Sequence, residues 1–137
     1  MYSAGISCLV ELYECPSELL DDECFIEAKI REAVEYARAT LLKQSTKRFH
    51  PQGVTAFALL AESHISIHTW PELRYAAIDV FTCGQHAMPE QAFQYLVEAL
   101  QAGRHTVQRV ERGTGLGKDA LNAVPKPLES AQAAVSV

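Results

Sequence analysis

The chain has 137 residues, 48% of them apolar, and a formal net charge of −5 at pH 7. This length predicts one domain, residues 1–137, with a hydrophobic core of its own. The acidic balance and the absence of a long Lys/Arg run argue against nucleic acid and membrane surfaces as partners. No apolar run approaches the roughly 20 residues of a membrane-spanning helix, and the first residues lack the regions of a signal peptide, so we expect a cytoplasmic protein.

The first half of the chain predicts a strand, a helix and two more strands. Residues 5–14 are rich in strand formers, and Pro16 with Ser17 ends that strand. Negative residues at 21–23 then begin a helix of about four turns. Its apolar stripe consists of Ile26, Ile30, Ala33, Val34 and Ala37. Residues 40–49 form a second strand that ends in the turn at 50–53, and the apolar run 54–61 is typical of a central strand.

The second half predicts two strands, a helix and a last strand. Residues 64–70 alternate, with His64, Ser66 and His68 on one face, and Pro71 closes the strand. Residues 75–83 alternate in the same way. A helix begins at Pro89, ends at Gly103, and is followed by a strand at 105–112. Its buried stripe consists of Phe93, Leu96, Val97 and Leu100. Residues 114–137 have little periodicity and predict a loosely ordered tail.

This order of elements favours an α+β fold, a two-layer sandwich of one mostly antiparallel sheet with helices on one face. The helices are too few to cover both faces of the sheet. We therefore expect a second copy of the chain to cover the other face, which predicts a homodimer.

The four cysteines, Cys8, Cys15, Cys24 and Cys83, are far apart and contain no C-x-x-C pair. Neither a disulfide framework nor a zinc site is indicated by this spacing, so we expect no metal. In a cytosolic chain the four thiols are expected to be reduced, three of them as packing residues.

Residues 61–72, Ala-Glu-Ser-His-Ile-Ser-Ile-His-Thr-Trp-Pro-Glu, concentrate hydroxyl, imidazole and carboxyl groups. A hydrolase site is disfavoured because Ser63 has no glycine on either side, unlike the serine of a nucleophile elbow. A metal site is also disfavoured, since His64 and His68 would lie about 13 Å apart along a strand.

The same segment, followed by Tyr-Ala-Ala-Ile-Asp-Val-Phe-Thr-Cys-Gly at 75–84, resembles the prokaryotic S-adenosylmethionine decarboxylase proenzymes. These are pyruvoyl-dependent enzymes of polyamine biosynthesis, and the resemblance extends from Gly5 to about Gly113. It implies self-cleavage between Glu62 and Ser63 into residues 1–62 (the beta chain) and 63–137 (the alpha chain). Ser63 would become a pyruvoyl group whose ketone forms a Schiff base with the substrate amine.

The resemblance also implies a role for individual residues. His68 removes a proton during processing, Cys83 donates a proton during decarboxylation, and Thr55 supplies a processing hydroxyl. The implied substrate-binding residues are Phe49, which stacks on the adenine, Glu72, which holds the ribose, and Ser7 and Glu11 at the pocket wall. The product would be S-adenosylmethioninamine, the aminopropyl donor for spermidine.

Strand geometry places His68 roughly 16 Å from Ser63, at about 3.3 Å per residue. A base so distant cannot act within its own chain unless the chain folds back sharply, so we expect active sites shared between two protomers.

Two departures from the family pattern leave the substrate open. Ser7 stands where histidine is common, and Leu73-Arg74 stand where Tyr-Gly is usual. An inward Arg74 would repel the sulfonium cation. The alternatives are a decarboxylase of ornithine or arginine, or an uncleaved regulatory homologue.

Overall fold

The computed structural model describes residues 4–83 and 86–123. Its strands are β1 (Gly5–Tyr13), β2 (Leu41–Arg48), β3 (Val54–Leu60), β4 (Ser63–Trp70), β5 (Tyr75–Thr82) and β6 (Arg104–Arg112). Its α-helices are α1 (Ser17–Leu20), α2 (Glu23–Tyr36), α3 (Pro89–Ala99) and α4 (Lys118–Asn122). In the described part of the chain, one 3-10 turn at Pro71–Leu73 separates β4 from β5.

All six strands form one sheet in the order β2-β3-β4-β5-β1-β6. Every neighbouring pair is antiparallel, as predicted. The first strand of the chain therefore lies between β5 and β6, far from β2 and β3. In the registers around β4, Ser63 is opposite Leu60 and Thr82, whereas His68 is opposite Thr55 and Ala77.

Helices α1, α2 and α3 contact the sheet, with α2 and α3 packed on one face of it, which confirms the predicted two-layer α+β fold. Helix α2 begins where the Asp22 side chain accepts a hydrogen bond of 3.0 Å from the Phe25 N–H. Helix α3 has Pro89 in its first turn, where the missing N–H of proline is harmless. Both helices bury their apolar stripes against strand residues such as Ile67 and Ile78.

The opposite face, here called the open face, keeps large apolar side chains in contact with solvent. Leu9, Phe57, Leu59 and Trp70 are between 39% and 42% exposed. The apolar run of β3 is therefore only half buried, because alternate residues point to opposite sides of a sheet. The second copy that we expect on this face stays a prediction.

Some local predictions are wrong. The segment after Pro16 is predicted only to break the strand, but it forms α1. Helix α3 ends at Ala99 rather than at Gly103, since Gln101 adopts a left-handed backbone with φ 53°. Val97 is only half buried. All four cysteines are free thiols, yet Cys24 is exposed instead of packed.

The predicted tail lies largely outside the described residues, which include α4 but not 124–137, so its order stays a prediction. Within the described part of the chain, no helix is long and apolar enough to cross a membrane.

Candidate active site

Residues 61 and 62 form the tight turn between β3 and β4, since Leu60 and Ser63 are paired across it. Ser63 has φ 140°, a backbone conformation that residues other than glycine rarely adopt. Such a residue stores roughly 1–3 kcal/mol of strain and is held in place only by its surroundings. The strain therefore lies next to the peptide bond that is predicted to break.

The carbonyl oxygen of Glu62 accepts two hydrogen bonds from Cys83. The Cys83 N–H donates at 2.9 Å and the Cys83 Sγ at 3.2 Å. This oxygen would gain negative charge if a hydroxyl attacked the Glu62 carbonyl carbon. Preorganised donors at such an oxygen are the defining feature of an oxyanion hole.

The side chain of Glu62 is fully buried, with 0% exposure. Its Oε1 accepts the Thr40 N–H at 2.9 Å, and its Oε2 lies 2.6 Å from His86 Nε2 and 3.4 Å from Thr40 Oγ1. These contacts satisfy a carboxyl group that would be costly to bury alone. Sequence reasoning missed Thr40 and His86, because both belong to segments distant from Glu62 in the chain.

The Cys83 thiol is half buried beside this group. Burial, and then the nearby Glu62 carboxylate, raise the pKa of the Cys83 thiol above its ordinary value. The thiol therefore keeps its proton at neutral pH, as a proton donor must.

His68 and Thr55 lie toward the other end of β4. They are direct cross-strand partners, and Thr55 Oγ1 is 2.9 Å from His68 Nδ1. The bond engages one ring nitrogen of an exposed imidazole and orients the ring. Because β4 runs uninterrupted from Ser63 to Trp70, five residues at about 3.3 Å keep His68 roughly 16 Å from Ser63.

The predicted site residues thus fall into two groups. Glu62, Ser63 and Cys83 lie together at the Ser63 end of the sheet, and the row next to them contains Ser7, which pairs with Phe81. Thr55 and His68 lie at the other end, in the same row as Glu11, which pairs with Ala77. Phe49 and Glu72 follow the ends of β2 and β4 there, and both are exposed.

Glu11 accepts a hydrogen bond from the hydroxyl of Tyr75. Burial, followed by this bond, raises the pKa of Tyr75 to about 12. The Tyr75 ring also stacks on Trp70 at 5.3 Å and on Tyr13 at 5.5 Å between ring centroids. Glu11 therefore holds an aromatic stack beside His68. Alternation along β5 could have found Tyr75, since it shares a face of the strand with Asp79, Phe81 and Cys83.

Ser7 lines a cavity of about 170 Å³ on the open face. The cavity also contacts His64, Phe81 and Arg112, and Arg112 Nη1 lies 3.5 Å from Ser7 Oγ. The His64 ring stacks on Phe57 at 5.4 Å and meets the edge of Phe81 at 5.9 Å. These groups give the Ser63 end an aromatic wall with one guanidinium.

Arg74 is held by two backbone carbonyls that belong to neither group of site residues. Its Nε donates to the Cys15 carbonyl at 2.9 Å and its Nη2 to the Glu14 carbonyl at 3.3 Å. Its backbone is left-handed, with φ 55°, at the position where the family pattern has glycine. The guanidinium is thus held by the loop after β1, and the inward orientation that would repel a cationic substrate is not observed.

In the part of the chain that the structure describes, no three His, Cys, Asp or Glu side chains gather as metal ligands would.

Comparison with known proteins identifies the family of the chain. The family model described as S-adenosylmethionine decarboxylase matches residues 6–113. An S-adenosylmethionine decarboxylase proenzyme from Synechococcus sp. (strain WH7803) is 52% identical over 122 residues, which are 89% of this chain and 95% of that protein.

A proenzyme of the same name from Methanococcus maripaludis (strain C5 / ATCC BAA-1333) is 46% identical over 113 residues, 82% of this chain and 93% of that protein. The crystal structure of the adenosylmethionine decarboxylase from Aquifex aeolicus VF5 superposes with a TM-score of 0.80 at 36% identity, covering 86% of this chain and 97% of that one. The chain belongs to the S-adenosylmethionine decarboxylase family.

Proposed function

We propose that this protein is a proenzyme that cuts its own Glu62–Ser63 bond and then decarboxylates S-adenosylmethionine with a pyruvoyl group formed from Ser63. The observation that carries the proposal is the pair of Cys83 donors on the Glu62 carbonyl, next to the strained backbone of Ser63. Relatives that carry the name proenzyme support it. The residues present fit the group, because its precursor serine adjoins a preformed oxyanion hole.

Cleavage begins when the Ser63 hydroxyl attacks the Glu62 carbonyl carbon. The new C–O bond forms, the peptide C–N bond breaks, and the hydroxyl proton passes to the freed Ser63 nitrogen. The Cys83 donors stabilise the charge on the carbonyl oxygen. A base then removes the Ser63 Cα proton, and Glu62 leaves as a carboxylate. The remaining aminoacrylate tautomerises, and water replaces its nitrogen as ammonia. Residues 63–137 now begin with a pyruvoyl group.

The base in this scheme is His68 of a second copy. Within one chain, roughly 16 Å of strand separates His68 from Ser63, which is far beyond hydrogen-bond reach. Two open faces packed with their strands in opposite directions bring the Ser63 end of one protomer onto the His68 end of the other. The apolar side chains exposed on this face supply the contact, so the protein functions as a homodimer with shared active sites.

Thr55 serves the base by orienting its ring. Its hydroxyl engages His68 Nδ1, which leaves the second ring nitrogen available to accept the Cα proton. Thr55 therefore acts in processing through His68 and not only through its own hydroxyl.

In decarboxylation the pyruvoyl ketone supplies an electron sink for the electrons released with carbon dioxide. Cys83 then returns a proton to the substrate carbon, and its raised pKa keeps that proton in place until it is needed. Phe49 and Glu72, exposed at the His68 end, reach the adenine and ribose of substrate bound at the partner's pyruvoyl group. Ser7 lies in the cavity wall, and Glu11 acts by holding Tyr75.

The product is S-adenosylmethioninamine, which donates its aminopropyl group in spermidine biosynthesis, and we expect the enzyme in the cytoplasm. The alternative substrates ornithine and arginine were suggested by Ser7 and by Leu73-Arg74. The contacts of Arg74 with the Cys15 and Glu14 carbonyls argue against repulsion of the sulfonium by this side chain, so S-adenosylmethionine is favoured.

Intact-mass measurement of the purified protein, combined with a ketone-reactive label, tests the proposal. We expect two chains, residues 1–62 and 63–137, with the label only on the second. The Ser63→Ala variant, which lacks the attacking hydroxyl, should stay full length and unlabelled. Carbon dioxide release should occur with S-adenosylmethionine and not with ornithine or arginine. A single unlabelled full-length chain from the unmodified protein would instead support the uncleaved regulatory homologue.

A further inference from the structure

We infer that His86 is a positioning residue for self-cleavage, which holds the Glu62 side chain so that the scissile carbonyl stays on the Cys83 donors. This inference rests on the proposed cleavage between Glu62 and Ser63. It assigns a role to a residue that neither the sequence motif nor the reaction scheme uses.

The geometry joins His86 to the reacting bond in two steps. Cys83 and His86, three positions apart in the chain, contact the same residue at two places: Cys83 holds the Glu62 carbonyl, and His86 holds the Glu62 carboxyl group. Two contacts from one short stretch fix both the position and the rotation of Glu62. The carbonyl carbon is thereby presented to the Ser63 hydroxyl in one orientation, which is the condition for an efficient intramolecular attack.

Burial makes the His86 contact important. The Glu62 side chain has 0% exposure, so in the folded chain its carboxyl oxygens depend on protein partners for their hydrogen bonds. Thr40 N–H satisfies Oε1, whereas the partners of Oε2 among the described residues are His86 Nε2 at 2.6 Å and, at the longer distance of 3.4 Å, the Thr40 hydroxyl. Without the imidazole, Oε2 loses its closest donor. The Glu62 side chain is then expected to turn toward solvent and to shift the carbonyl away from Cys83.

The same contact gains a second use after cleavage. Glu62 becomes a chain terminus and adds an α-carboxylate beside its buried side chain. The His86 imidazole contacts the side-chain carboxyl group of this same residue. His86 thus holds the new terminus next to Cys83, where the thiol performs the later proton transfer.

Precursor made by cell-free synthesis allows the cleavage rate to be followed on gels from the moment of folding. We expect His86→Ala to slow cleavage about 10- to 100-fold, the loss typical of a displaced reacting group. His86→Gln should recover part of the rate, because its amide N–H can still donate to Glu62 Oε2. The matched control is His105→Ala, the same change at an exposed residue of β6, which should cleave at the unmodified rate.

A double-mutant cycle separates positioning from general stability. If His86 acts through the Glu62 carboxyl group, His86→Ala should have little further effect in a Glu62→Ala background, where no side-chain group remains for the imidazole to contact. Equal cleavage by His86→Ala and the unmodified protein, or full additivity in the cycle, would overturn the inference.

Melting temperatures of all variants in a Ser63→Ala background show which chains fold. Should His86→Ala not fold, His86→Gln takes its place in the cycle. Its effect on the cleavage rate is then measured with Glu62 intact and again together with Glu62→Ala, and the same additivity criterion decides. An unmodified chain that never cleaves would instead refute the proposed function itself.

Discussion

Complementation between two inactive variants tests whether the active site is shared. His68→Ala removes the proposed base, and Ser63→Ala removes the proposed nucleophile, so neither chain should form a pyruvoyl group alone. The separation of roughly 16 Å along β4 is about five times the reach of a general base, which no side-chain rotation can bridge. In a mixed dimer, Ser63 of one chain meets His68 of the other, and one of the two sites is intact.

The expected yield follows from pairing statistics. Equal amounts of the two variants, refolded together, place about half of all chains in mixed dimers if pairing is random. About half of the His68→Ala chains should therefore acquire a ketone-reactive terminus, and none of the Ser63→Ala chains should. Different affinity tags on the two chains report mixed dimers independently of cleavage. Mixed dimers without any labelled product, or full labelling of His68→Ala chains on their own, would refute the shared site.

Four further outcomes are expected. Cys83→Ala keeps the backbone donor but loses the thiol. Its cleavage rate should fall by no more than roughly 10²-fold, the loss seen when a strong oxyanion-hole donor is removed. The rate of carbon dioxide release by the cleaved fraction should fall further. Since the pKa of the Cys83 thiol is raised, carbon dioxide release should persist above the pH at which an ordinary thiol ionises and should decline as the pH rises through the raised value. A decline at lower pH would contradict the role of Cys83 as the proton donor. The Arg48 side chain and then the Gly53 N–H lower the pKa of Asp21. The stabilisation of the fold by Asp21 is therefore present above the ordinary carboxyl pKa and is lost as the pH falls. Urea midpoints of Asp21→Asn should accordingly change less between neutral and acidic pH than those of the unmodified chain. Ile67→Ala, at a fully buried position, should lower the free energy of unfolding by about 2–5 kcal/mol in urea titrations of the uncleaved Ser63→Ala chain. A smaller loss would indicate that the core collapses around the gap.

Local periodicity is enough to predict most strands and their faces. In β4 the alternation of His64, Ser66 and His68 with buried Ile65 and Ile67 predicts which side chains face away from the helices. It also predicts the distance between Ser63 and His68, because a continuous strand has a fixed rise per residue. The end of α3 is harder to predict, since the left-handed residue that terminates it is Gln101 and not the nearby glycine.

Long-range pairing and contacts between loops are beyond such reasoning. Nothing in residues 5–14 indicates that β1 inserts between β5 and β6, because either edge of a sheet accepts an antiparallel strand. The contact of His86 with Glu62 depends on how two loops approach each other, 24 residues apart in the chain. The orientation of Arg74 is ambiguous in the sequence for the same reason, since the carbonyls that hold it belong to the loop after β1.

The strand order has a consequence for the lifetime of the cleaved protein. In the proposed product, residues 1–62 contribute β1, β2 and β3, but β1 pairs only with β5 and β6, which belong to residues 63–137. Strands from both pieces pair with one another in one sheet, so neither piece can dissociate after cleavage unless that sheet unfolds. Folding must therefore precede cleavage. Once denatured, the pieces would have to find each other again as separate molecules, so maturation makes unfolding far harder to reverse.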